Sequence, residues 1–199
     1  EKLYSEAIKK EFDLIAFNHV RLRGNNFPEK IIDKYPINTM HAFKGIFKCD
    51  LSSMITTILI KKKIFIQRKI LFPPLIPDDF NKIYKIFYHA KTIKKINEFM
   101  YLWKIRPSSL TTKFTKSKCK NLLEILKNDL LFLKNEDIYK KNKKLYEFRV
   151  SWLVTNYQIN MIKSFNYKIF FYFLLLIHKN KLLIKNQNKM LLKLFILRI

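Results

Sequence analysis

Acidic side chains are scarce in this chain. Its 199 residues hold 15 Asp and Glu against 40 Lys and Arg, a formal charge of +25. Self-repulsion on that scale excludes an isolated soluble domain of ordinary charge and calls for a polyanionic partner. Cysteine is almost absent. Cys49 and Cys119 stand alone, with no CxxC and no HxxxH spacing among His19, His41, His89 and His178, so neither a structural metal site nor a cofactor is expected, and both thiols are expected to be free. Long apolar runs are missing too. The most apolar stretch, IFFYFLLLIH at 169 to 178, is flanked by Lys168 and Lys179. It falls short of the roughly 17–25 residues that a spanning helix needs, so no transmembrane segment is expected.

Carboxylates are also poorly grouped for catalysis. Asp78-Asp79 and Glu136-Asp137 are the only adjacent acidic pairs, and metal-dependent phosphate chemistry would want clustered acids. Each pair reads better as the start of a helix, where the positive end of the backbone dipole favours negative charge. No nucleophile can be matched with a base. An enzyme with a small-molecule substrate is therefore not expected.

What the chain has in abundance is lysine: 34 Lys to 6 Arg, with 27 Ile and 16 Asn but 4 Ala, 3 Val and 2 Gly. Lys, Ile, Asn, Phe and Tyr share AT-rich codons. Arginine would bind phosphate as well or better, so the bias reads as coding pressure in an AT-rich, organellar genome, and the expected location is the mitochondrial matrix. Basicity rises along the chain, and no acid follows Glu147.

The apolar content of 49%, including 15% aromatics, is enough for a core. Residues 6–22 place Ala7, Ile8, Phe12, Ile15, Ala16 and Val20 at helical spacing, which predicts an amphipathic helix. Residues 53–72 are rich in β-branched side chains around Lys61-Lys62-Lys63 and read as a hairpin, with a basic helix as the alternative. From Asp78 to Trp103 one apolar stripe predicts a long helix, closed by Pro107. Leu122, Leu123, Ile125, Leu126, Leu130 and Leu133 predict another helix, ending at Asn135-Glu136-Asp137. Lys140 to Lys144 reads as either a solvated face or a phosphate contact.

Between these elements lies SSLTTKFTKSKCKN, residues 108–121, with six hydroxyls, four lysines and no acid. Phosphate oxygens accept from Lys, Arg, Ser and Thr, and Trp103 and Phe114 offer rings for stacking. A basic RNA-binding loop is expected over 104–120, carried by Arg106, Lys113, Lys116, Lys118 and Lys120.

The last fifty-five residues, from Leu145, contain Arg149-Val150-Ser151-Trp152-Leu153-Val154, then a span from Ser164-Phe165 to Ile177-His178, then Lys181-Leu182-Leu183-Ile184-Lys185-Asn186 and an apolar close at 191–199. In order and length this resembles the small RNA-binding domain named after ribosomal protein S-four of the small subunit. That family has an R-L-D-x-hydrophobic helix, a basic second helix, a His-Gly turn and closing strands. Ser151 stands where the family has Asp, and both turn glycines are replaced. The resemblance implies an RNA face of Arg149, Lys163, Lys168, His178, Lys179 and Lys181, and Lys185 is expected to bind RNA with them. The apolar second helix departs from a helix bare to RNA, so its outer side, Phe171 to Leu175, is expected to be covered by a protein neighbour.

The expected fold class is α+β. A helical N-terminal body over 1–140 would precede a small C-terminal RNA-binding domain over 141–199, made of two helices and a short sheet. The expected function is a structural constituent of the small subunit of a mitochondrial ribosome, bound to ribosomal RNA and to neighbouring ribosomal proteins. The alternative is an accessory subunit of a mitochondrial membrane complex, its lysines meeting anionic head groups.

Overall fold

The computed structural model describes residues 2–24, 27–32, 34–51, 54–70, 78–105, 115–164 and 166–179. The chain divides into two compact units, Glu1–Thr112 and Lys113–Ile199. The expected boundary near residue 140 therefore falls inside the second unit.

The first unit is built on a sheet rather than on helices alone, which corrects the expectation of a helical N-terminal body. Its elements are α1 (Lys2–Lys9), β1 (Leu14–Arg23), β2 (Glu29–Ile31), α2 (Thr39–Phe47), a 3-10 turn (Ile55–Thr57), β3 (Ile58–Ile60), α3 (Lys62–Gln67), α4 (Asp78–His89) and β4 (Ile93–Ile105). β1 is the central strand. It runs parallel to β4 along its whole length, Leu14 opposite Ile93 and Arg23 opposite Ile105. It is antiparallel to β3 through Leu14–Ala16 and to β2 through His19–Arg21. A strand has two edges, so β3 and β2 share the edge that β4 leaves.

The predicted helix over 6–22 is thus a short helix followed by a strand. Glu11 adopts φ 49°, which ends α1. Asp13 then fixes the change of direction. Its amide donates to Thr92 Oγ1 at 2.9 Å, its carboxylate accepts from the Lys91 amide at 2.9 Å, and its carbonyl accepts from the Lys61 amide at 2.9 Å. One residue ties the starts of β1 and β4 to the end of β3. Leu14 to His19 are all buried, and a strand covered on both faces shows no polar alternation that would reveal it.

The long helix predicted to reach Trp103 ends at His89, and Ile93, Ile96, Met100 and Trp103 lie instead on β4. β4 is strongly irregular: from Lys95 to Tyr101 it advances six residues while β1 advances three, from Ala16 to His19. Such bulges keep an apolar spacing that mimics a helix. The hairpin expected over 53–72 is not formed. Ile58–Ile60 pair with β1, and Lys62–Gln67 are helical.

Aromatic rings hold α2 against α4. Phe43, Phe47, Tyr84 and Phe87 are fully buried, Phe47 meets Tyr84 edge-on at 5.0 Å between centroids, and Tyr35 stacks on Phe87 at 5.4 Å. Asn38 caps α2 by accepting from the His41 amide at 3.0 Å. Gly45 is one of the two glycines, and its place is steric: a Cβ there would lie 2.7 Å from Leu51 Cδ1.

The scarcity of glycine shows at the helix ends. Helices α2 and α3 each close with an amide-to-carbonyl bond spanning five residues, Asp50 to Gly45 at 2.9 Å and Ile70 to Phe65 at 3.1 Å. That motif puts the preceding residue in the left-handed region, where glycine is usual. Here Cys49 (φ 63°) and Lys69 (φ 48°) occupy those positions. Lys69→Gly is expected to stabilise the unit by about 0.5–1 kcal/mol, by relieving the Cβ strain. A higher urea midpoint at unchanged m-value would show it.

The described part of the second unit is helical: α5 (Lys116–Asn135), α6 (Tyr139–Lys163) and α7 (Tyr167–Lys179) pack on one another. α5 buries Leu122, Leu123, Ile125, Leu126 and Leu133, as its spacing predicts, while Leu130 is half-buried. It ends where expected, with Asp137 at φ 52° and the Ile138 amide donating to Leu133 O at 3.0 Å. The closing strands expected within 181–199 lie outside the described residues.

Candidate nucleic-acid interface

The expected basic loop is partly a helix. Thr115 caps α5, its hydroxyl accepting from the Lys118 amide at 3.2 Å, so Lys116, Lys118 and Lys120 occupy the first turn and a half. Lys104 and Ile105 end β4, and Arg106 and Lys113 lie outside the described residues. Lys116 and Lys120 are exposed, with the Lys116 ammonium 5.2 Å from the centre of the Tyr172 ring. Lys118 is a correction: it is only 8% exposed, and burial pulls its pKa below the ordinary lysine value. Its neighbour Cys119 is fully buried, and burial pushes that thiol up to about 11, which leaves it a packing residue.

Arg149 is the larger correction. The resemblance places it on an RNA face, yet it is fully buried and its Nε donates to Asp129 Oδ2 at 2.7 Å. Nearby, the Tyr146 hydroxyl donates to Leu126 O at 3.1 Å, and burial raises its pKa to about 12. A guanidinium is always charged, so apolar packing around it requires a carboxylate. Asp129, the partner on α5, carries no signal in a one-dimensional pattern. Lys163, Lys168 and His178 are exposed. Lys179 ends α7, and Lys181 and Lys185 lie outside the described residues.

Comparison with protein-family models and with curated proteins finds no match to this chain.

The chain's charges sit in an unusual place. α3, α5 and α6 have no acid in the first turn, where the helix dipole favours anions. They begin instead with Lys62 and Lys63, with Lys116, and with Lys140 and Lys141. The same applies just beyond, at Lys143 and Lys144. All seven are exposed. Among the described residues, no carboxylate lies within ion-pair distance of Lys62, Lys63, Lys140, Lys141, Lys143 or Lys144. Several acids are engaged elsewhere: Glu98 with Lys2, Glu6 with Lys9 and Lys94, Glu29 with Arg21, and Glu124 with Lys127.

A cation at a helix N-terminus repels the dipole it stands on. A phosphate there would relieve both charges, accepting from the lysine and from the helix amides. The run Lys140 to Lys144 reads in the sequence as either a solvated face or a phosphate contact, and the start of α6 at Tyr139 puts it on the first turns of that helix. Among the described residues no group of three or more His, Cys, Asp and Glu could hold a metal ion, and no helix is long and apolar enough to cross a membrane.

Proposed function

We propose that this chain is a structural, non-catalytic RNA-binding component of the small subunit of a mitochondrial ribosome. The observation that supports it best is the set of exposed lysines at the N-termini of α3, α5 and α6, none of them in an ion pair among the described residues, in a chain of charge +25. Phosphate neutralisation is the mechanism, and no bond is made or broken. The codon-linked composition argues for the organelle, and the resemblance of residues 145–199 argues for the small subunit. Exposed Phe171, Leu174 and Leu175 on α7 supply a surface for a neighbouring ribosomal protein, since exposed apolar clusters of this kind mark interfaces.

The experiment is sedimentation. The chain should travel with the small subunit at moderate salt and leave it at high salt. Its affinity for folded RNA should fall about 10³- to 10⁵-fold between 50 and 200 mM salt if six to ten phosphates are neutralised. An affinity that hardly changes over this range, or recovery with membrane lipid and no RNA, would defeat the proposal.

A further inference from the structure

A pocket of about 450 Å³ opens in the first unit between α1, the start of β1 and β3. Its size is that of sites which take molecules as large as a nucleoside. The walls are mainly apolar, and two of them are left uncovered: Tyr4 is 67% exposed and Ile8 59%. Phe12 also lines it, with the Lys94 ammonium 5.7 Å from its ring centre, so Tyr4 is the ring presented to an incoming group.

The lining is mixed in sign. Lys61 and Lys62 belong to it with Glu11 and Asp13. Asp13 is already engaged, by the Lys91 amide at 2.9 Å and by Lys61 at 3.9 Å. Beyond Lys62, the exposed Lys63, Arg68 and Lys69 continue the cations over α3, none of them in an ion pair among the described residues.

Resting on the RNA-binding reading above, we propose that this pocket receives one unstacked base of single-stranded RNA against Tyr4, with its flanking phosphates on Lys62 and Lys63. Single strands are bound by such a pairing, an aromatic platform beside a cationic track. Glu11, the remaining carboxylate of the lining, would accept from exocyclic amines, which favours adenine, cytosine or guanine over uracil. The same carboxylate repels the anionic head of a fatty acid, the other class of molecule that an apolar pocket with lysines could take. The cations also run past the reach of a single head group.

The test uses the whole chain and unpaired oligonucleotides carrying 2-aminopurine at one position. The expected result is a change in 2-aminopurine fluorescence on binding. Tyr4→Ala should remove that change and weaken binding about fivefold or more, without altering the salt dependence. Lys62→Ala with Lys63→Ala should instead lower the salt slope by about 1.4, two single-strand phosphates' worth. Tyr4 is largely exposed, and an unchanged far-UV spectrum would separate its role from folding. If Tyr4→Ala binds the oligonucleotide as the natural chain does, the pocket assignment is overturned while general RNA binding stands. If the natural chain binds no RNA, both readings fall. Displacement of the oligonucleotide by dodecanoate at lower concentration than by a nucleotide would overturn it in favour of an acyl ligand.

Discussion

Asp129→Ala is expected to destabilise the helical unit by about 3–5 kcal/mol, the range for removing one partner of a buried ion pair. Both side chains have zero exposure, and the guanidinium nitrogen lies 2.7 Å from the carboxylate oxygen. Without Asp129, Arg149 remains charged in an apolar setting, because a guanidinium does not lose its proton in a protein. Asp129→Leu combined with Arg149→Met should recover most of the loss, since the desolvation cost disappears with both charges. The chain has two tryptophans, Trp103 in the first unit and Trp152 in the second. Urea unfolding followed at Trp152, in a Trp103→Phe background, would report this unit. A single variant within 1 kcal/mol of the parent would refute the pair's structural role.

Phe47→Ala should cost the sheet unit about 3–5 kcal/mol, the range for truncating a buried phenylalanine to alanine. Phe47 is fully buried on α2, edge-on to Tyr84 of α4 and 5.6 Å from Phe43. Removing its ring leaves a void between two helices that meet chiefly through aromatics, and it discards ring-ring attraction as well. Phe47→Leu should cost distinctly less, because most of the volume is retained. Trp103 fluorescence in a Trp152→Phe background is the measurement, and equal losses for the two variants would show that ring shape matters more than the cavity.

Local pattern reveals some of this architecture. The apolar residues of α5 read correctly because one face of that helix is buried and the other is not, and the break at 135–137 reads correctly because Asn and Asp tolerate turns. β1 does not read as a strand. Its apolar residues Ile15, Ala16 and Val20 fall at helical spacing after α1, and the signal that α1 ends is a left-handed Glu11, a residue with no reputation for turns. β4 is lost likewise, since its bulges give Ile93, Ile96, Met100 and Trp103 a helix-like rhythm.

The interface shows a similar division. A surplus of lysine is visible in any count, but its location at three helix starts requires knowing where the helices begin. Arg149 shows the opposite error. A basic residue in a resembling motif reads as outward-facing, and only its contact with Asp129, twenty positions earlier, places it within the packing.

The parallel pairing of β1 with β4 has a consequence for biosynthesis. Asp13 meets Thr92 across 79 positions, so β1 leaves the translating ribosome with β3 and β2 able to join one edge while the other waits. At about 5–20 residues per second, that wait lasts roughly 4–16 s. During it a buried-type strand is open to wrong pairing. A nascent chain halted before residue 93 should consequently be the form of this protein most prone to clump and most in need of a chaperone.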